Sequence, residues 1–282
     1  MRRPTEMDWI LAAEGVTVRF GGVAANNGVS FWCTRGEITA VIGPNGAGKT
    51  TLFNAITGAR APDAGEITFL GQRIEQLPAW KRARLGMART FQTPALIPNG
   101  TVVENVVVGA SRYLGYGTGS ALLGLPGVRR TDRQLEGIAR WAMRAVGIDE
   151  VRNRLVGNLP YGLVRRVEIA RALALGPELL LLDEPAAGMD HVETEELADL
   201  LTAARQTWGL TILLVEHDLS LVKAVADQAF VLDFGEVIAS GGVQEVLHDP
   251  KVMAAYLGPH AIGRMAQTPP GSHAATAVSG EL

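Results

Sequence analysis

Short apolar runs alternate along the chain with segments of helical period. Residues 37–43, 178–183 and 210–217 are aliphatic runs bounded by polar residues or glycine, a pattern typical of strands buried on both faces. Residues 49–58 (KTTLFNAITG) predict a helix that ends at a glycine. A second helix, between the last two strands, has aliphatic residues on one face: Leu197, Leu200, Leu201 and Ala204. This order predicts an α/β fold with a parallel sheet, whose ligands bind beyond the carboxyl ends of the strands.

The middle of the chain has a different pattern. Glycines are frequent from Gly109 to Gly127, and no period holds there. The segment TDRQLEGIARWAMRAVG then predicts an amphipathic helix that opens with a capping box of Thr131 and Gln134. Its apolar stripe consists of Leu135, Ile138, Ala142 and Ala145. We therefore expect mainly helical structure in this part of the chain.

These patterns predict a discontinuous domain organisation. Residues 1–92 and 178–258 should form an α/β core, and residues 93–177 a helical subdomain inserted into it. Residues 65–74 (GEITFLGQRI) alternate as an edge strand does, which predicts an antiparallel β edge. Residues 259–282 end in small, polar, proline- and glycine-bearing sequence and are expected to be a disordered tail.

Composition and charge limit the classes of function. The chain has 282 residues, of which 47% are apolar and 20% charged, as in a globular protein with a buried core. Its net charge of −3 gives no support to a nucleic-acid partner. Cys33 is the single cysteine, which fits a reducing, cytosolic setting. The N-terminal apolar segment is too short for a signal peptide, and no apolar run is long enough to cross a bilayer, so any membrane role should be peripheral.

The clearest chemical motif is the segment GPNGAGKTT, which fits G-x-x-x-x-G-K-[ST] between a predicted strand and a predicted helix. In such a loop, backbone N–H groups surround phosphates, the lysine neutralises charge and the next hydroxyl binds Mg²⁺. The alternative is a glycine-rich turn with a solvated lysine. The predicted phosphate-binding residues are Gly43, Pro44, Asn45, Gly46, Ala47, Gly48, Lys49, Thr50 and Thr51.

Several further residues are expected near the same edge of the sheet. Asp183 and Glu184 end a buried strand, where one carboxylate can hold Mg²⁺ and the other can accept a proton from water, unless they only cap the next helix. His217 follows another buried strand and could contact a γ-phosphate, although a lone histidine is more often structural. Gln92 lies where the sheet pattern changes to the helical one, so it could sense nucleotide and act as a hinge.

Two aromatic positions need separate interpretation. Phe20 ends the strand segment VTVRF and could stack on a nucleotide base, although a strand aromatic is more often a core residue. The triplet at residues 233–235 (DFG) lies between two β-like segments without a catalytic-loop pattern upstream, which predicts a hairpin turn.

Taken in order over about residues 10–258, these motifs resemble the nucleotide-binding subunits of ATP-binding-cassette (ABC) transporters. The segments that carry the resemblance are Phe20, GPNGAGKT, Gln92, LPYGLVRRVEIARAL, LLLLDEP, the AGMD stretch ending at Asp190, and His217. The resemblance implies a P-loop ATPase with ATP and Mg²⁺ as cofactors. It implies that Glu184, His217 and Gln92 are catalytic, that Asp190 is at the nucleotide, and that Thr50, Gln92 and Asp183 hold the metal.

The resemblance also implies partners. Two cassettes pair head to tail, with each ATP between the phosphate loop of one and the signature segment of the other. The segment FQTPALIPNGTVVENVVVG, the insert after it and the ending AAYLG are most similar to branched-chain amino acid uptake systems. This implies a second cassette, more often a paralogue, two permease subunits and, indirectly, a solute-binding protein, with this chain peripheral on the cytoplasmic side of the inner membrane.

The signature segment departs from the usual L-S-G-G-Q. Pro160, Tyr161 and Leu163 replace the serine, the first glycine and the glutamine, whereas Leu159 and Gly162 remain. A proline at a helix start needs no N–H partner, and Gly162 allows close approach of the backbone, so the helix can still present its amides to an anion. The residues expected at the partner's ATP are Leu159, Pro160, Tyr161 and Gly162.

The expected function is therefore an importer ATPase that couples ATP binding and hydrolysis to uptake of small polar solutes, in the first place branched-chain amino acids. Urea or short-chain amides are the alternative cargo. A soluble ABC ATPase that acts on nucleic acid or ribosomes is a rival, although neither a second cassette nor a coiled-coil insert is present in the sequence. The altered signature also leaves open a regulatory cassette that binds ATP without hydrolysing it.

Overall fold

The computed structural model describes residues 9–113 and 126–257, and within these the side chains of residues 126–130 and 257 are left aside. The predicted tail at 259–282 and most of the glycine-rich stretch lie outside the described residues. The strands in the described part are β1 (Trp9–Phe20), β2 (Val23–Thr34), β3 (Ile38–Ile42), β4 (Ala64–Phe69), β5 (Gln72–Arg73), β6 (Met87–Arg89), β7 (Leu179–Asp183), β8 (Thr211–Glu216), β9 (Gln228–Asp233) and β10 (Glu236–Gly242).

The helices of the described part alternate with these strands along the chain. They are α1 (Lys49–Thr57), α2 (Ala79–Arg84), α3 (Val102–Gly109), α4 (Pro126–Ala145), α5 (Tyr161–Ala174), α6 (His191–Trp208), α7 (Leu219–Val225), α8 (Val243–Leu247) and α9 (Pro250–Leu257). Short 3₁₀ helices occur at Ala110–Tyr113, Asp149–Val151 and Val156–Asn158.

The strands form two sheets. The larger has the order β10-β9-β3-β8-β7-β6 and is parallel except for β10, which pairs antiparallel with β9. The smaller is antiparallel, with the order β2-β1-β4-β5. The predicted fold class, a parallel sheet with an antiparallel β edge and added helices, is confirmed.

The register of the parallel sheet brings three strand ends together. Val41 of β3 lies beside Val215 of β8, and Asp183 of β7 lies beside the same Val215. Because parallel strands point the same way, the segments after β3, β7 and β8 all leave at one edge of the sheet. The predicted phosphate loop, the two carboxylates and His217 are all located there.

Two apolar cores hold this arrangement. One lies between the two sheets and includes Phe31, Phe53 and Phe230, each about 1% exposed. The other covers the opposite face of the parallel sheet and continues into α3, α4 and α5, where Val106, for example, is fully buried. The helices in the middle of the chain are thus anchored to the sheet by shared apolar packing.

Two local predictions are wrong. Residues 65–74 are not one edge strand, because Leu70 and Gly71 both have positive φ and turn the chain from β4 into β5. As a result β4 lies inside the smaller sheet, between β1 and β5. Thr131 does not open a capping box, because α4 already begins at Pro126 and Thr131 lies inside it. The predicted hairpin at residues 233–235 is present and joins β9 to β10.

Candidate active site

The phosphate loop is the connection between β3 and α1. Gly43 and Gly48 have φ values of 152° and 100°, and a Cβ at either would overlap a backbone oxygen, that of Leu232 or of Ala25. Only glycine fits both conditions, so the loop conformation follows directly from the motif. The hairpin turn after β9 supports it from behind, since the Gly235 N–H donates to the Ala47 carbonyl at 3.0 Å.

Lys49 lies at the first turn of α1 and is only 5% exposed. Its Nζ donates to the carbonyls of Gly43 at 2.7 Å and Pro44 at 3.0 Å. Burial lowers the pKa of Lys49, whereas nearby carboxylates, Glu184 foremost, oppose this. The ammonium is therefore positioned beside the loop in a place where a phosphate could replace the carbonyl oxygens. Thr50 is exposed in the same first turn.

The three predicted catalytic residues are brought together. Gln92 Nε2 donates to Glu184 Oε2 at 3.1 Å, and His217 Nδ1 lies 3.7 Å from Glu184 Oε1. Glu184 has a φ of 45°, which is uncommon for a residue with a side chain, while its N–H donates to Val215 O at 2.9 Å. Such strained backbone persists where the surroundings fix it, and it is frequent at functional sites.

Asp183 is held differently from its neighbour. It is 2% exposed, and its Oδ2 accepts from Arg89 Nη2 at 2.9 Å. Arg89 also donates from Nη1 to Asn54 Oδ1 at 2.7 Å and Thr57 Oγ1 at 3.0 Å. Burial raises the pKa of Asp183, and the Arg89 guanidinium counteracts this. One carboxylate oxygen is thus fixed by Arg89.

Sequence reasoning missed Glu216, the residue before His217. Its side chain is fully buried and accepts from the backbone N–H groups of Ala186 at 2.9 Å, His217 at 3.0 Å and Asp218 at 3.2 Å. Burial raises the pKa of Glu216, opposed by these donors. The side chain joins the loop after Glu184 to the loop that carries His217. A carboxylate ending the buried run TILLVE was the available signal.

The signature segment begins α5. Pro160 is the N-cap residue with no side-chain cap, and Tyr161 is 41% exposed at the first position of the helix. A Cβ at Gly162 would overlap the Glu193 carboxylate. Asp190 is the N-cap of α6 and accepts from the Glu193 N–H at 2.9 Å, and Glu193 in turn accepts from the Asp190 N–H at 3.2 Å. Leu159 precedes this group and is half-buried.

Phe20 is not a core residue. It lies at the end of β1 with 53% of its surface exposed, and the Arg60 guanidinium lies 4.1 Å from its ring centroid. The ring is therefore available at the surface, with one face covered by a cation.

The residues at the strand ends fit a Mg²⁺ ion that a nucleotide brings with it. Within the described ranges, no group of three or more His, Cys, Asp or Glu side chains lies close enough together to hold a metal ion by itself. Mg²⁺ in nucleotide sites commonly takes one or two protein oxygens and completes its shell with phosphates and water. Thr50, Asp183 and Gln92 offer a hydroxyl, a carboxylate and an amide oxygen, which are suitable donors.

A glycine-dependent phosphate loop after a parallel strand, with carboxylates at the end of a nearby strand, defines the P-loop class of nucleotide-binding proteins. Comparison with known families narrows this class. The ABC transporter family matches residues 26–187, more than half of the chain. The chain therefore belongs to the ABC transporter family of ATP-binding cassettes, whose members are ATPases. A second family, described as the branched-chain amino acid ATP-binding cassette transporter, matches residues 236–258.

Individual relatives are similar over nearly their whole length. The high-affinity branched-chain amino acid transport ATP-binding protein LivG of Salmonella typhimurium is 44% identical over 250 residues, covering 88% of this chain and 98% of that protein. The corresponding BraF protein of Pseudomonas aeruginosa is 42% identical with the same coverage. A solved ATP-binding cassette of an ABC transporter in its ADP conformation has a TM-score of 0.77 and 32% identity, over 89% of this chain and 99% of that one.

Proposed function

We propose that this chain is the ATP-hydrolysing subunit of a membrane importer for branched-chain amino acids. The observation that carries the cargo class is the match at residues 236–258, because this segment belongs to a family described by that cargo and lies outside the general ABC transporter match. The names of the full-length relatives support the same cargo.

The geometry supports a division of labour in hydrolysis. Glu184 is the general base for the attacking water. Gln92 and His217 lie against the two oxygens of the Glu184 carboxylate, orient that carboxylate and reach the γ-phosphate. Lys49 leaves the carbonyls of the loop and neutralises phosphate charge. Mg²⁺ held by Thr50, Asp183 and Gln92 would neutralise the phosphate oxygens.

A second cassette, for which a paralogue is the favoured candidate, completes the site. The start of α5 supplies backbone amides to the ATP of that cassette through Leu159–Gly162, with Asp190 close by. Phe20 supports the base of the ATP bound by this chain. These roles follow from the family resemblance and from the exposure of the Phe20 and Tyr161 rings.

Two permease subunits are the proposed membrane partners, with a solute-binding protein acting through them. We assign residues 93–177 to a helical subdomain and residues 1–92 and 178–258 to the core. We assign the contact with permease to a cavity of about 410 Å³ that lies between the subdomain and the core. It is lined by exposed aromatic side chains, Trp80 and Phe91, and by Arg89, which also touches Asp183. No helix in the described part is long and apolar enough to span a bilayer. We place the chain peripherally on the cytoplasmic side of the membrane, as the family resemblance implies.

The deciding experiment is purification of the tagged chain with its membrane partners, followed by reconstitution in vesicles. ATP hydrolysis is measured with the co-purified solute-binding protein loaded with leucine, isoleucine or valine, and separately with urea or acetamide. We expect stimulation by the branched-chain amino acids and none in a Lys49→Ala complex. Stimulation by urea or amides alone would refute the cargo, and hydrolysis without membrane partners or cargo dependence would refute the transport role.

A further inference from the structure

A buried ion pair on α5 holds the segment that carries Gln92. Arg165 and Glu168 are 2% and 1% exposed and lie 2.9 Å apart. Glu168 Oε1 accepts from the Phe91 N–H at 2.8 Å, while Arg165 donates to the carbonyls of Phe91 at 2.7 Å and Gln92 at 2.6 Å. The peptide groups on both sides of Phe91 are therefore fixed by α5.

The support of the chain changes within one residue. The Thr90 N–H, one residue after β6, still donates to Leu181 O of β7 at 2.9 Å, so the backbone at Thr90 is still held by the parallel sheet. Between Phe91 and Ala95 the hydrogen bonds of the backbone go to side chains of α5, and Arg171 adds a third such partner by donating to Ala95 O at 2.6 Å. The segment 91–95 has no regular secondary structure of its own. Its position consequently follows that of α5 more than that of the sheet.

The same guanidinium also reaches the exposed start of α5. Arg165 Nε donates to the Tyr161 hydroxyl at 3.0 Å, so all three guanidinium nitrogens have acceptors. The Tyr161 ring lies against the loop after Glu184, because a Cβ at Gly188 would come within 3.4 Å of it. At the other end, the Gln92 amide donates to Glu184 at 3.1 Å. A continuous set of contacts runs from the surface of α5 to the catalytic carboxylate.

We propose that Tyr161 and Arg165 are positioning residues that set Gln92 against Glu184, so that a contact made at the exposed start of α5 changes hydrolysis in this chain's own nucleotide site. A planar guanidinium with three bonded nitrogens in a buried place fixes its partners more rigidly than a single flexible donor could. The inference rests on the proposed ATPase function and on head-to-tail pairing of cassettes, and it does not depend on the cargo.

Two variants remove parts of this set without leaving a buried charge alone. Tyr161→Phe removes one hydroxyl and keeps the ring. Arg165→Lys keeps the charge beside Glu168 but loses the fork that reaches the other acceptors. Arg166→Lys is the matched control, because Arg166 is adjacent on α5 but contacts Val146 O and Glu196 instead.

ATP hydrolysis is measured in the reconstituted complex, together with ATP binding by the isolated chain in EDTA and thermal unfolding. We expect kcat to fall about tenfold in Tyr161→Phe, the effect of one hydrogen bond from a charged donor, and further in Arg165→Lys. ATP binding, unfolding and the Arg166→Lys complex should stay as in the wild type. In a Gln92→Ala background, Tyr161→Phe should add less than about a twofold change, since its effect passes through Gln92.

Two results would overturn the inference. If Tyr161→Phe lowers kcat in the Gln92→Ala background as much as in the wild type, Tyr161 acts directly on the partner's nucleotide or on folding. If kcat is unchanged in both Tyr161→Phe and Arg165→Lys, the contacts do not matter. A wild-type complex that is stimulated by urea or short-chain amides but not by branched-chain amino acids would refute the proposed cargo alone, because the comparison of variants uses unstimulated hydrolysis.

Discussion

Replacing Arg89 by methionine tests the electrostatics of the site. Arg89 and Asp183 are 12% and 2% exposed, and Arg89 supplies the hydrogen bond to the Asp183 carboxylate. Methionine keeps much of the side-chain volume but leaves that carboxylate buried without its counter-charge. Removing one partner of a buried ion pair costs about 3–5 kcal/mol. We expect the free energy of unfolding of the nucleotide-free chain to fall by about 3 kcal/mol, measured by urea denaturation.

The control for this change lies at the other end of β7. Arg35 and Glu178 form an ion pair whose side chains are 57% and 49% exposed, so Arg35→Met should cost less than about 1 kcal/mol. If Arg89→Met costs no more than Arg35→Met, Asp183 does not depend on its buried partner and the reasoning fails. The loss of unfolding free energy caused by Arg89→Met should be smaller with ATP and Mg²⁺ than with ATP in EDTA, because the cation supplies positive charge near Asp183. An equal deficit in both would count against Asp183 as a metal ligand.

Three further changes separate the proposed roles. Glu184→Gln should retain ATP binding while ATPase of the complex falls by about 10²- to 10⁴-fold, and normal turnover would exclude Glu184 as the base. Asp183→Asn should raise the Mg²⁺ concentration needed for half-maximal ATPase, whereas an unchanged Mg²⁺ titration would exclude metal binding by Asp183. Gly162→Asp should block hydrolysis at the partner's site but spare ATP binding by the isolated chain. Because it also meets the Glu193 carboxylate, the test includes a Glu193→Ala background, where recovery of turnover would assign the loss to that local repulsion.

The sequence predicts those parts of the site whose determinants are local. The phosphate loop is specified within nine residues, because its glycines alone permit the backbone angles at Gly43 and Gly48. The strand ends that carry Asp183, Glu184 and His217 follow from mostly apolar strands of five and six residues. Where each feature depends on a short stretch and a common sheet edge, pattern reasoning places it correctly.

Features that depend on distant residues have no such local signal. Arg89 is 94 residues from Asp183, and Arg165 is 73 residues from Gln92, so neither pairing could be found from spacing. The misplaced start of α4 has another cause. A Thr-x-x-Gln pattern occurs inside helices as well as at their ends, and only the residues before Thr131 decide between the two.

The altered signature illustrates how a local departure can be compensated by its surroundings. Pro160 stands at the N-cap, where its missing N–H leaves no helical bond unmade. Leu163, in place of a glutamine, is half-buried and packs on the core of the helices and sheet.

Gly162 cannot vary in the same way. Its neighbour Glu193 is held in a capping box with Asp190, so a side chain at position 162 would have to displace an anchored carboxylate. Tyr161 has gained a partner instead, because its hydroxyl accepts from Arg165. The hydroxyl at the start of α5 is thus directed inward to the segment of Gln92. Under the proposed pairing of two cassettes, contact with a partner's phosphate is then left to the backbone amides. A cassette built this way should depend less on side-chain hydroxyl contacts across the interface and more on the position of α5 itself.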